Sequence, residues 1–279
     1  MPDNTRRPFP GRQFTDPEVF VVSQMSFDQL FLSNPQVVKA VPEIPRPVKK
    51  EQVNKQENRS TNPRKEFMDT FRVTARYHHR YEVFSDFVKL SACALENAFM
   101  KSEAIEAEYM ATINRYEKAD AERMAQLLAW LVMGLEQGMC DFLGSLYMEL
   151  ELGSANIGQF FTPFTMSELM AQLVIGDRLA ELETSSYITL SEPTCGGGGM
   201  VIAFAKQMLE RGYNPQTQLR ADCVDIDPVA ARMCYIQLSL LGIPARVAIG
   251  NSLSLKYQRE MYTPFWHRVT SKRWPMYQQ

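Results

Sequence analysis

The sequence predicts an α/β chain in which an α-helical domain precedes a parallel sheet that is incomplete. Three observations lead there. Residues 66–152 contain no proline and carry apolar residues at helical spacing. From about Gly153 onward, short apolar strands alternate with helices. The three strands end in polar residues, at Glu192, Asp225 and Asn251.

The elements follow in order. Residues 1–65 hold nine of the sixteen prolines and predict a largely disordered or extended arm, with short apolar pieces at Phe20–Val22 and Phe27–Leu32. Within 66–152, Phe84, Phe87, Val88, Ser91 and Leu95 share one helical face, and Met124, Leu127, Leu128, Leu131 and Leu135 form a second stripe. Such stripes are core rather than a cofactor box. His78 and His79, beside Arg76 and Arg80, read as a polar helix start in preference to a nucleic-acid contact. Residues 153–255 begin with a helix over Thr165–Leu182, with Thr165 as its candidate cap. A strand in SYITLSEP, a helix from Gly199 to Arg211 and a strand in LRADCVDID come next. A helix from Pro228 to Leu241 follows, capped by Asp227 and stopped by Gly242, and then a strand in ARVAIGN. This alternation spells a doubly wound parallel arrangement. Residues 256–279 form a basic, aromatic tail.

Composition narrows the function classes. The net charge of −2 identifies no general polyanion partner. Locally, residues 252–279 carry five Lys/Arg against one Glu, and residues 1–65 carry eleven against seven acids, so either segment is a solvated basic stretch or a phosphate contact. The five cysteines show no CxxC spacing and there are three histidines, so no metal site is expected. Scattered cysteines, an N-terminus (MPDNTRRPFP) without an apolar signal region and the lack of a membrane-length run predict a cytoplasmic chain.

The stretch SEPTCGGGGM, residues 191–200, holds four of the fourteen glycines in one run. It lacks the Gly-Lys-Ser/Thr ending of a P-loop. Placed between a strand and a helix, it lets backbone approach a ligand beside a helix N-terminus. Asp225 ends the next strand, where a carboxylate can accept from both hydroxyls of a ribose. Gly250-Asn251 ends the third, where an amide can reach a purine edge. Together these describe a nucleoside site. The bland alternatives are a tight structural turn for Gly196–Gly199, an exposed acid for Asp225 and a helix cap for Asp227. For Cys195 the reading is a small buried loop residue, not a nucleophile. For Asn251, turn formation and an adenine contact stand level.

These residues resemble a family. Glu192-Pro193-Thr194-Cys195-Gly196-Gly197-Gly198-Gly199-Met200 is similar to the first motif of S-adenosylmethionine-dependent adenine-N6 DNA methyltransferases, and most of all to the modification subunits of type I restriction systems. Gly158-Gln159-Phe160-Phe161-Thr162-Pro163 resembles the segment that helps hold the methionine end of the cofactor. Val224-Asp225-Ile226-Asp227-Pro228 resembles the ribose-binding strand end, and Gly250-Asn251-Ser252-Leu253 resembles the turn that meets adenine. The resemblance spans about residues 70–255. It implies a Rossmann-like methyltransferase core, S-adenosylmethionine as cofactor and DNA as partner. The implied cofactor-binding residues are Phe161, Thr162, Pro163, Glu192, Pro193, Cys195, Gly196, Gly198, Asp225, Ile226 and Asn251.

The family's catalytic [DN]-P-P-[FYW] sequence does not occur. Its nearest counterpart is Tyr262-Thr263-Pro264-Phe265-Trp266, which makes Thr263, Pro264 and Phe265 the candidate catalytic residues. Thirteen residues follow Trp266, whereas about four further strands with crossovers need roughly a hundred. The glycine-loop strand is therefore expected at a sheet edge. The basic, aromatic tail, a protein partner or a second copy is expected to cover it. Two readings follow: a DNA adenine-N6 methyltransferase, or a catalytically inactive cofactor-binding relative with a regulatory, anti-restriction or complex-forming role.

Overall fold

The computed structural model describes residues 62–152 and 161–270; Phe20–Val22, Phe27–Leu32, Gly158, Gln159 and Phe160 lie outside them. Helix α1 (Pro63–Val73) starts earlier than composition suggested. Asn62 caps it by accepting from the amides of Arg64 and Lys65, and Pro63 takes the first helical position, where no amide proton is needed. Helix α2 (Arg80–Met100) is capped by His79, whose Nδ1 accepts from the Tyr81 amide, as a polar helix start would be. Helices α3 (Glu103–Ile113), α4 (Lys118–Glu136) and α5 (Phe142–Glu149) complete the helical region.

Helix α6 (Phe164–Leu179) leads through a short 3-10 turn to strand β1 (Ile188–Glu192). Its cap position is Pro163, so Thr165 lies inside the first turn. Helix α7 (Gly199–Glu210) and the one-turn α8 (Pro215–Gln218) precede β2 (Leu219–Asp225). Helix α9 (Pro228–Leu240) precedes β3 (Ala245–Asn251), and β4 (Lys256–Tyr262) and α10 (Pro264–Val269) follow. Asp227 caps α9 through the Val229 amide at 3.0 Å.

The sheet order is β1-β2-β3-β4, parallel except for β4. This α/β sheet preceded by helices is the predicted class, with two corrections. Because strand order advances in one direction, right-handed crossovers place α7 and α9 on the same face. The described sheet is therefore wound on one face only. Its other face exposes Thr189, Ser191, Asp222 and Glu260, and Arg246 spans Asp222 and Glu260 at 2.5 and 2.7 Å. Secondly, Lys256–Tyr262 is a strand. Its inward positions are Met261 and Arg259, and Arg259 reaches Glu96 of α2 and Glu108 of α3, each at 2.5 Å.

The helical region packs onto the sheet's helix layer, α2 against α9, and one apolar core runs from Phe67 to Met261. Phe67, Phe71, Phe84 and Phe87 are fully buried, each contributing about 1.5–3 kcal/mol. Edge-on ring contacts pass from Phe84 to Tyr147 at 5.6 Å and from Tyr147 to Phe161 at 5.0 Å. This aromatic path ends beside the glycine loop.

At the β1 edge the expectation is met: among the described residues no strand pairs with its outer side. The tail up to residue 270 is elsewhere, with Thr263 bonded to Ala245 at the start of β3. Helix α6 packs along α7 but exposes Met166, Leu169, Met170, Leu173 and Val174 as an apolar stripe. No helix among the described residues is long and apolar enough to cross a membrane.

Candidate cofactor site

The site lies at the carboxyl ends of β1, β2 and β3. Beyond β1 the chain crosses toward β2, and the Cys195 amide donates to the Val224 carbonyl at 2.9 Å. Gly196 and Gly198 then adopt φ of +53° and +93°, in the left-handed region. A Cβ on Gly196 would sit 3.0 Å from the Phe161 ring, and one on Gly198 would sit 3.1 Å from Cys234 Sγ. Bare backbone is thus required from both sides, and Gly198 leads directly into α7. Cys195 is buried, as its reading as a small loop residue requires.

Asp225 is fixed by this loop. Its Oδ2 accepts from the Gly196 amide at 2.8 Å and its Oδ1 from the Asp227 amide at 2.9 Å. Each oxygen keeps a second lone pair. Burial raises the carboxyl above its ordinary range, and these amide bonds draw it back in part. Ile226 beside it is 69% exposed, an apolar surface next to a carboxylate. Glu192 is half-buried at the end of β1; burial lifts its carboxyl too, and it accepts from the Thr194 amide at 3.4 Å. Asn251 uses its side-chain oxygen on the amides of Leu253 and Ser254 at 2.9 and 3.0 Å. Of its two readings, the turn is the one observed.

A cavity of about 90 Å³ opens beside the loop, lined by residues that include Asp141, Phe161, Thr162, Ser167, Thr194 and Gly196. Phe161 is half-buried against Gly196, Thr162 is exposed, and Pro163 caps α6 through the amides of Met166 and Ser167. A larger cavity of about 290 Å³ lies between α2 and α3, lined by residues such as Cys93, Asn97 and Tyr109, none of them at the strand ends.

The sequence reading missed three residues. Asp141 caps α5 through the Gly144 amide at 2.8 Å, Gln237 bonds both Asp141 and the Gly197 carbonyl, and Ser167 sits buried in the small cavity. The signal available was Asp141 three residues before Gly144 at a helix start, since a Cβ on Gly144 would fall 2.1 Å from Asp141 Oδ2.

The catalytic candidates are not brought to this site. Thr263 is fully buried, donates to the Ile243 carbonyl at 2.8 Å and accepts from the Ala245 amide at 2.9 Å. Pro264 is buried with it, and Phe265 lies against Gly242. Because β4 runs antiparallel to β3, this corner is at the start of β3, about 20 Å from Asn251 at the usual strand rise. Thr263 thus spends its hydroxyl and amide on closing the β3–β4 corner, with Pro264 and Phe265 packed beside it and away from the glycine loop.

Residues 144–273 match the sequence family described as N-6 DNA Methylase. The match is to part of the chain. It begins within α5 and takes in the glycine loop, Asp225 and Asn251. A solved structure described as a class I S-adenosylmethionine-dependent methyltransferase from Listeria monocytogenes is similar at 13% identity and a TM-score of 0.33, over 59% of this chain and 52% of that one. This chain thus spans about half the length of that protein. No curated protein matches it. S-adenosylmethionine is the cofactor that the matched family implies, and the residues fit it: a side-chain-free cradle at Gly196 and Gly198, a carboxylate at Asp225 for ribose hydroxyls and an apolar surface at Ile226 for a base.

Proposed function

We propose that the chain is a methyltransferase-family protein that binds S-adenosylmethionine and serves methyl transfer to adenine N6 in DNA. The observation that carries this reading is the seating of Asp225 on the Gly196 amide, which ties two strand ends together at one place. The family match supplies the acceptor class. Phe161, Thr162 and Pro163 would border the methionine end, Glu192, Pro193, Cys195, Gly196 and Gly198 the loop, Asp225 the ribose, and Ile226 with Asn251 the base. When bound, the cofactor supplies an activated methyl group. The chain's own residues orient it and shield it.

Thr263 and Pro264, the expected holders of an adenine amino group, lie remote from the loop. Among the described residues the strand order advances in one direction and the outer side of β1 carries no strand. A protein partner that adds a strand to β1 and seats it on the α6 stripe would bring acceptor groups beside the loop. Among the described basic residues of the tail, Arg259 is turned inward, Arg268 lies over Phe265, and Lys256 is exposed at the cofactor end, where it could meet a phosphate.

A second reading, a cofactor-binding but non-catalytic regulator or anti-restriction factor, is favoured by the remote position of Thr263. Incubation with labelled S-adenosylmethionine and mixed adenine-containing DNA separates the two. Label retained by the protein and passed to adenine N6, both abolished by Asp225→Ala, supports the enzyme. Retention without transfer supports the regulator. No retention by folded protein contradicts both.

A further inference from the structure

Asp141 is 5% exposed, and both of its known contacts fall on one oxygen. Its Oδ1 accepts from the Gly144 amide and from Gln237 Nε2, each at 2.8 Å. Its Oδ2 has no hydrogen bond among the described residues and lies where a Cβ on Gly199 would come within 3.1 Å. Ser167, on α6, is 1% exposed, and its Oγ is also without a partner. Both residues line the same cavity beside the glycine loop. The Ser167 hydroxyl is buried without a partner, which is costly unless a ligand completes it, and the carboxyl of Asp141 lines the same recess.

The chemistry of that ligand group follows. A glycine loop leading into a helix N-terminus favours an anion such as a phosphate. Here the anion place is already taken by a carboxylate of the chain, so a phosphate would meet like charge in a desolvated pocket. The group that fits is cationic and carries several donors. At about 90 Å³ the cavity is well below the several hundred Å³ of a whole-ligand pocket, so it takes the end of a ligand and not its nucleoside. Phe161, Thr194 and Gly196 form its other walls.

We infer that Asp141 Oδ2 and Ser167 Oγ hold the α-ammonium of the amino-acid end of S-adenosylmethionine. This rests on the cofactor reading above and deepens it, since the adenosyl end is assigned to Asp225. Gln237 is the positioning residue: it holds Oδ1 so that Oδ2 faces the cavity.

The test is calorimetric titration of the full chain with three ligands. S-adenosylmethionine and S-adenosylhomocysteine carry the ammonium; 5′-methylthioadenosine lacks the amino-acid end. Asp141→Asn keeps the shape and the Oδ1 contacts but removes the charge. It is expected to weaken the first two about ten- to hundred-fold, the range for a hydrogen bond to a charged group, and to leave methylthioadenosine within twofold. Ser167→Ala is expected to weaken the same two several-fold, and it supplies the comparison if the Asp141 variant does not fold. Equal weakening of all three ligands, or of none, overturns the assignment. Weakening of S-adenosylmethionine alone would place the sulfonium there instead and overturn it too. If the wild type binds none of the three, the cofactor reading falls and the assignment falls with it.

Discussion

Gln237 Nε2 lies 2.7 Å from the carbonyl oxygen of Gly197, so a fully buried side chain on α9 holds the glycine loop in place. The same nitrogen bonds Asp141, and Gln237 Oε1 accepts from the Leu143 amide at 2.9 Å. One amide thus fastens α5 and the loop to α9. Gln237→Ala leaves a carbonyl, an amide proton and a carboxylate oxygen short of partners. The expected loss is about 3 kcal/mol, a fall in Tm on the order of 10 °C, with weaker binding of every adenosyl ligand. Differential scanning calorimetry and titration check it; unchanged Tm would show that water replaces the amide.

Thr263 makes the opposite prediction. Thr263→Ala strips partners from the Ala245 amide and the Ile243 carbonyl, so a loss of about 1–3 kcal/mol is expected in chemical unfolding. Cofactor affinity should stay within twofold, because the residue is remote from the loop. A large loss of affinity without a loss of stability would return Thr263 to the site.

Arg259 joins the sheet to the helical region. It reaches Glu96 and Glu108, and Arg232 adds a contact to Glu108 at 3.0 Å. Burial raises the Glu96 carboxyl. It pushes Glu108 the same way, but Arg259 and its basic neighbours bring Glu108 below its ordinary range. Arg259→Ala leaves Glu96 without its ion-pair partner and removes one of several from Glu108, and is expected to cost about 3 kcal/mol in urea unfolding. Glu96→Gln, which keeps a hydrogen bond and removes a charge, should cost less.

The carboxyl of Asp225 is raised, burial being the first cause, so the folded chain holds that proton more tightly than the unfolded chain. Its contribution to stability is therefore present below the unfolded value, near 3.8, and is lost as pH rises through the folded value. Asp225→Asn removes this dependence. The variant should gain on the wild type as pH rises through that window, seen as a growing difference in Tm from acid toward neutral pH. A difference that does not change with pH would contradict the burial effect.

Much of this was legible in the sequence because local signals and tertiary placement agree. The glycine run needs positive φ, Asp227 caps α9, and Asp225 ends an apolar strand. Strand β4 was hidden because Arg259 occupies an inward position where an apolar residue would normally signal a strand; its partners, Glu96 and Glu108, are far away in sequence. Thr263-Pro264-Phe265 misled because a motif comparison carries no strand direction, and the antiparallel turn into β4 sends those residues to the wrong end of the sheet. Asp141 and Ser167 were passed over because a helix cap and a helix serine look ordinary until the glycine loop is folded over them.

The central claim is that the strand ends around Asp225 and the glycine loop hold S-adenosylmethionine. Isothermal titration of the full chain tests it most directly, beside Asp225→Ala. The account predicts saturable binding at one site, weakened at least about tenfold in the variant, as expected for losing hydrogen bonds to a charged group. Absence of heat and of any thermal shift, in protein shown to be folded, would contradict it.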